Sequence, residues 1–304
     1  MVGLVFPGTA PSYYHDIVEY LKFNQYARKR YDQASEILGY SIMDAFAEAK
    51  EEDLEVLESA FFINTIALLD LYYQKYNYQP DVTIGPSFGG MATSVQVQSL
   101  TFEETLWLTH ESSKFSKKWF KRLGNYQTLL IYNLLLEDIK ILIAEYKNRG
   151  IDFEIVGYMD KIICVCGDIE HINELKGYLN HKRKCFAVDT LNYPMHSKIL
   201  KPLKIELEKE VYSKVDFKEL KNPVISDVDG TLITDKDAFK QTLLNGVYQP
   251  VRWDLVGNMM RKLELEDVYV IGPKNIFAQL LKNQFNTINI NPENSKYLIQ
   301  KEKV

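Results

Sequence analysis

The sequence predicts an α/β protein: a large domain built on a parallel sheet, split in sequence by a small inserted domain with its own sheet. Two observations carry this expectation. Short apolar runs at Gly3–Phe6, Asp81–Ile84, Pro223–Ser226 and Val268–Ile271 are separated by helical patterns or by the insertion, as expected of buried parallel strands. Between Tyr126 and Asp189 the rhythm shortens to strand, helix, strand, strand, helix, strand, which is the order of a ferredoxin-like βαββαβ unit. The expected division is residues 1–125 and 191–304 for the large domain, with 126–190 as the insertion.

Taken in order, Gly3–Phe6 is a strand ended by the Pro7-Gly8 turn, and the stretch from about Tyr14 to Lys50 reads as helix, with Ile17, Tyr20 and Leu21 apolar among charges. A second helix from about Asp53 to Tyr78 is broadly apolar through Ala60–Ile63 and Ile66–Leu69, so it should be central. Asp81–Ile84 is the next strand, Gly85–Gly90 a tight turn, and a helix begins at Met91. The insertion then reads as strands at Thr128–Tyr132, Phe153–Met159, Ile162–Cys166 and Cys185–Val188, with helices through Glu137–Lys147 and Ile169–Leu179.

Composition narrows the classes. With 304 residues, 46% hydrophobic and 25% charged, the chain can bury an ample core and shows no bias toward disorder or fibres. A formal charge of −5 offers no general attraction to nucleic acid or anionic lipid. Three cysteines, Cys164, Cys166 and Cys185, lack metal-site spacing, so reduced thiols, no metal site and a cytoplasmic setting are expected. The opening MVGLVFPG has no secretory pattern, and no window approaches the roughly 18 apolar residues of a membrane span.

Gly85-Pro86-Ser87-Phe88-Gly89 fits G-x-S-x-G between a strand and a helix, the setting of the nucleophile elbow in hydrolase-like α/β domains. The pattern alone also fits a helix-capping serine. A serine hydroxyl needs a base. Of the five histidines, His196 in Tyr193-Pro194-Met195-His196-Ser197, just past the insertion, is the best candidate, although a structural histidine would read the same way.

Phe6-Pro7-Gly8, Gly85–Gly90, Pro194–Ser197, Pro223–Ser226 and Pro250-Val251-Arg252-Trp253 together resemble, in order and across nearly the whole chain, the landmarks of the acyl-carrier-protein S-malonyltransferases, including polyketide synthase acyltransferases. The resemblance implies that Ser87 attacks a thioester, with His196 shuttling the proton and a covalent acyl-serine forming. It implies an oxyanion hole from the backbone N–H groups of Thr9 and Phe88, and a backbone carbonyl near Gly246 orienting the histidine. No permanently bound cofactor is implied. Acyl-CoA or a phosphopantetheine thioester is the substrate, and an acyl carrier protein is the partner. An acyl hydrolase that releases acyl groups from carriers is the alternative.

Thr9 stands where that family has a glutamine, a change that main-chain donors tolerate, and three further positions depart from it. Its carboxylate-binding arginine aligns with Ser112, its histidine before the nucleophile with Pro86, and a glutamine with Glu58. Malonyl specificity is therefore in doubt, because a guanidinium is the natural clamp for a free carboxylate. Glu58, Pro86, Ser112, Trp107, His110 and Met195 are expected to line the acyl pocket, with Glu58 either a solvated carboxylate or a partner for an amine. Two basic faces, Lys114–Arg122 and His181–Lys184, are candidate surfaces for an acidic carrier. Asp227-Val228-Asp229-Gly230-Thr231 matches a haloacid-dehalogenase phosphatase signature but reads better as a polar turn after a strand.

Overall fold

The computed structural model describes residues 1–10, 12–76, 78–159, 161–181, 185–274 and 277–295. The strands are β1 (Val2–Val5), β2 (Val82–Ile84), β3 (Tyr126–Tyr132), β4 (Glu154–Met159), β5 (Ile162–Asp168), β6 (Phe186–Leu191), β7 (Val224–Ile225), β8 (Leu232–Ile233), β9 (Val251–Arg252), β10 (Asp267–Ile271) and β11 (Asn286–Ile290). The helices are α1 (Tyr14–Phe23), α2 (Gln25–Leu38), α3 (Ile42–Glu48), α4 (Leu54–Tyr76), α5 (Gly89–Gln96), α6 (Phe102–Leu123), α7 (Leu136–Asn148), α8 (Ile169–Asn180), α9 (Lys201–Glu210), α10 (Lys236–Gly246), α11 (Trp253–Lys262) and α12 (Phe277–Leu281).

The large sheet has the order β11-β10-β1-β2-β7-β8. Its pairings are parallel except for the β7–β8 edge hairpin. Helix α4 is apolar on nearly every side and lies in the core with Phe62, Ile63, Ile66 and Leu68 fully buried, which is why its sequence shows no helical stripe. The expected α/β fold is therefore present.

The second sheet runs β6-β3-β5-β4-β9. Within it β3 pairs antiparallel with β5 and β6, and β4 antiparallel with β5. That is the ferredoxin-like order, with Leu129, Ile131 and Val165 of the sheet in one buried cluster with Ile139 and Leu142 of α7 and Ile172 and Leu175 of α8. The fifth strand was not foreseen. β9, from the large domain, adds in parallel to the β4 edge, joining the two units and covering an open row of hydrogen-bonding groups. Arg252 lies 4.9 Å over the Tyr158 ring and pairs with Asp254, and buried Trp253 packs edge-on to Phe277. These landmark residues serve the junction.

The single helix expected from Tyr14 to Lys50 is instead three. Asn24 leaves helical geometry and caps α2 through its side chain, Gly39 adopts φ 75 and ends it, and Ser41 caps α3. Local caps of this kind outweigh a continuous apolar pattern. Short strands β8, β9 and β11 also went unread, being too brief or too polar to show alternation.

Candidate active site

Ser87 stands at the end of β2 with φ 55, a left-handed conformation that costs a non-glycine residue about 1 kcal/mol or more. The surroundings enforce it. A Cβ on Gly85 would collide with Thr93 and with the Gly89 carbonyl, and one on Gly89 with the Phe6 carbonyl, so both flanking glycines are required by close backbone approach. The backbone N–H of Ser87 donates to Asp227 Oδ2 at 2.6 Å. Ser87 precedes α5, whose N-terminal end favours negative charge developing there.

His196 reaches the same point from the loop after β6. Its Nε2 lies 2.8 Å from Ser87 Oγ, and its Nδ1–H donates to the Gly246 carbonyl at 2.5 Å. Gly246 is the last residue of α10, so its carbonyl is one of the acceptors a helix end leaves open. That bond fixes the tautomer with Nε2 as acceptor. Burial lowers the imidazole pKa, against the Gly246 bond that raises it, so the ring is neutral and ready to take a proton at pH 7. The serine thus sits at a helix N-terminus and the histidine at a helix C-terminus, each dipole favouring the charge that proton transfer would create.

The small domain holds the histidine loop. Thr128 on β3 donates its hydroxyl to the Tyr193 carbonyl and accepts the Met195 N–H, both at 3.0 Å. Glu154 on β4 accepts from Ser197 Oγ and the Lys198 N–H at 2.6 and 3.0 Å. His196 itself has φ 52.

Two cavities, each of about 170 Å³, meet at Ser87. One lies among α4, α6, α9 and α10 and is lined by Glu58, Phe88, Ser112, Tyr193 and Met195, together with Ser116 and Phe120. The other lies between the two sheets, lined by Pro86, Leu130, Val156, Met159, Cys164, Leu191 and Phe277. Thr9 borders both, and among the described residues neither its backbone N–H nor that of Phe88 has a hydrogen-bond partner.

Several expected positions fall elsewhere. Pro86 borders the second cavity, not the first. Trp107 and His110 are on other faces of α6: Lys214 lies over the Trp107 ring, and buried His110 faces Ser59 and the Glu55 carbonyl. Helical phase explains this, since Ser112, Ser116 and Phe120 recur every four residues on the cavity face. That spacing would have revealed Ser116 and Phe120, which the sequence reading missed.

Within the Lys114–Arg122 face, Lys114 and Lys117 are paired with acids, whereas Lys118, Lys121 and Arg122 are exposed. Of the second face only His181 is described, and Lys182, Arg183 and Lys184 lie outside the described residues. The phosphatase-like motif is a hairpin turn: Gly230 has φ 72, and Thr231 N–H donates to Asp229. Buried Asp227 is turned toward Ser87, and burial pushes its carboxyl up to about 6. Among the described residues no cluster of three metal-ligating side chains occurs, and no helix is long and apolar enough to cross a membrane.

No family model matches the chain. Curated relatives are similar along its length: the malonyl CoA-acyl carrier protein transacylase of Buchnera aphidicola subsp. Schizaphis graminum is 23% identical over 300 residues, covering 97% of this chain and 96% of that protein. The enzyme of the same name from Bacillus subtilis is 24% identical over 310 residues, covering 98% and 96%. Among solved structures, a malonyl-transacylase in complex with its type II polyketide synthase acyl-carrier protein superposes with a TM-score of 0.81 at 19% identity, covering 95% of this chain and 96% of that one. The resemblance read from the five landmarks thus extends over nearly the whole chain, and the fold is shared.

Proposed function

We propose that this protein is an acyltransferase that moves an acyl group from a thioester to the pantetheine thiol of an acyl carrier protein, through an acyl-Ser87 intermediate. The carrying observation is the Gly246–His196–Ser87 relay, with 2.5 and 2.8 Å between its polar atoms. Ser87 Oγ attacks the thioester carbonyl carbon as its proton passes to His196 Nε2. The oxyanion is received by the unpaired N–H groups of Thr9 and Phe88, each worth about 3 kcal/mol in the transition state. Collapse breaks the C–S bond, and the departing thiolate takes the proton from His196. A second thiol then enters, gives its proton to His196 and attacks the acyl carbon; the C–O bond to Ser87 breaks, Ser87 Oγ takes the proton back from His196, and the acyl group leaves on the new thiol, so no bound cofactor is needed.

A thioester has an acyl side and a thiol side, and Ser87 lies where two cavities meet. The α4–α6 cavity is assigned to the acyl group and the apolar inter-sheet cavity to the thiol arm. Among the described residues no lysine or arginine lines the acyl cavity, which supports the reading that a free carboxylate, such as that of malonyl, is not the preferred group. The relatives named malonyl transacylases and the complex with a polyketide synthase carrier support the donor class, the carrier partner and a place in polyketide or related biosynthesis.

Intact-mass measurement with a panel of acyl thioesters tests this. An adduct on Ser87 that persists in buffer and discharges onto a carrier protein is the expected result. Discharge to water at the same rate without a carrier would mark the hydrolase instead, and no adduct with any donor would end the reading.

A further inference from the structure

Two carboxyl groups, Glu58 and Asp227, border the acyl cavity, and among the described residues no lysine or arginine lines it; Asp227 already accepts the Ser87 N–H. Glu58, on α4, shares the cavity wall with Ser87, and its charged form is disfavoured chiefly by burial and further by nearby Glu55, against a hydrogen bond from Ser113. Ser113 Oγ reaches both Glu58 Oε2 and, at 2.7 Å, the Thr109 carbonyl. One hydroxyl hydrogen cannot serve both acceptors, so an ionised Glu58 in an empty cavity is poorly satisfied. Lys117, one turn beyond Ser113 on α6, is taken by Glu55 and Asp53.

Two further features of the same wall suit a positive group. Ser112 Oγ is buried without a hydrogen-bond partner among the described residues. Phe120 and Tyr193 stack with centroids 5.0 Å apart and both border the cavity, offering aromatic faces or edges beside the carboxyl. An unpaired buried carboxylate is costly, and a ligand ammonium would supply the missing charge and donors together.

We propose that the α4–α6 cavity selects a short acyl group bearing an amine, held as an ammonium by Glu58 with the Ser112 hydroxyl as a second polar contact. The inference rests on the acyl-transfer reading and assigns its substrate class. The thioester carbonyl lies at Ser87 and the amine reaches Glu58, the inverse in charge of a carboxylated acyl group.

The test compares β-alanyl, propionyl and malonyl pantetheine thioesters as donors to the full-length protein, reading acyl-Ser87 formation by intact mass. The expected order puts β-alanyl first, by about tenfold or more over each of the other two. In Glu58→Gln, the ratio of β-alanyl to propionyl kcat/KM should fall by about tenfold, a ratio in which a general loss of fold cancels. Fast, preferred malonylation, or an unchanged ratio in Glu58→Gln, would overturn the proposal while leaving acyl transfer intact. Absence of any acyl-Ser87 with all three donors would sink acyl transfer itself, and this proposal with it.

Discussion

The two cavities that meet at Ser87 are alike in volume and opposite in chemistry. The α4–α6 cavity sets carboxyls and hydroxyls, Glu58, Asp227, Ser112 and Ser116, among aromatic and aliphatic walls. The inter-sheet cavity presents Leu130, Val156, Met159, Cys164, Leu191 and Phe277, with Asp189 the one acidic or basic side chain besides His196 among the described residues lining it. The difference teaches where selectivity can reside. Buried polar groups reject a ligand that leaves them unpaired, whereas an apolar wall discriminates only by shape and a few methylenes. A cavity that reads the acyl group should therefore be polar at fixed points, and one that accommodates a thiol arm common to many substrates can be smooth.

The comparison depends first on the group that joins the two sides. His196→Ala should lower acyl-Ser87 formation by about a thousandfold or more, measured by rapid-quench mass analysis with any accepted donor; a loss of less than tenfold would mean the base is elsewhere. Reversing the polarity of the acyl cavity comes next. Glu58→Gln combined with Ser112→Arg removes the anion and adds a guanidinium, and the malonyl to β-alanyl rate ratio should rise by about a hundredfold, two charge-assisted contacts of about tenfold each. The same pair of changes should leave competition by free pantetheine, which would occupy the apolar side, within about twofold.

Thr128→Val cuts the link between the small domain and the histidine loop while keeping volume. It should lower kcat about tenfold with KM less affected, because two hydrogen bonds that position Tyr193 and Met195 are lost. Burst titration of the acylatable serine distinguishes this from a general loss of fold, which would reduce the number of titratable sites while leaving turnover per site and the pH profile unchanged. That profile should show activity persisting below pH 6.5, since burial lowers the His196 pKa and the neutral base survives to more acidic pH.

The smallest effect is in stability. Burial raises Asp227 to about 6, above its ordinary 3.8, so the folded state binds a proton that the unfolded chain has released across that interval. The cost of burying this carboxylate is absent at more acidic pH and fully present above about pH 6. Asp227→Asn retains an acceptor for the Ser87 N–H and removes the charge. It should raise stability at pH 7 by on the order of 1 kcal/mol and flatten the decline between pH 4 and 6, in urea melts.

Much of the site was legible because its chemistry is local. Gly85 and Gly89 announce a backbone pressed against its neighbours, and the structure shows the Phe6 carbonyl and Thr93 occupying the space a side chain would need. Ser112 and Glu58 were readable as departures from a pattern. What the pattern lacked was helical phase: Ser116 and Phe120 share the Ser112 face, whereas Trp107 and His110 do not. The break of the first long helix at Asn24 and Gly39 was written in capping residues and a left-handed glycine, outvoted in the reading by a continuing apolar pattern.

The sequence by itself determined the elements, the strained serine turn and the residue types available for acyl chemistry, because glycine, proline and hydrophobic period act over a few neighbouring positions. Only the tertiary structure decided that a histidine 109 positions away meets that serine, that Asp227 turns its carboxyl to the serine N–H across 140 positions, and that β9 of one domain completes the sheet of the other. The reason is physical: these contacts follow from how packed layers bring distant chain segments together, and no local propensity encodes which far-off partner a buried polar group will find.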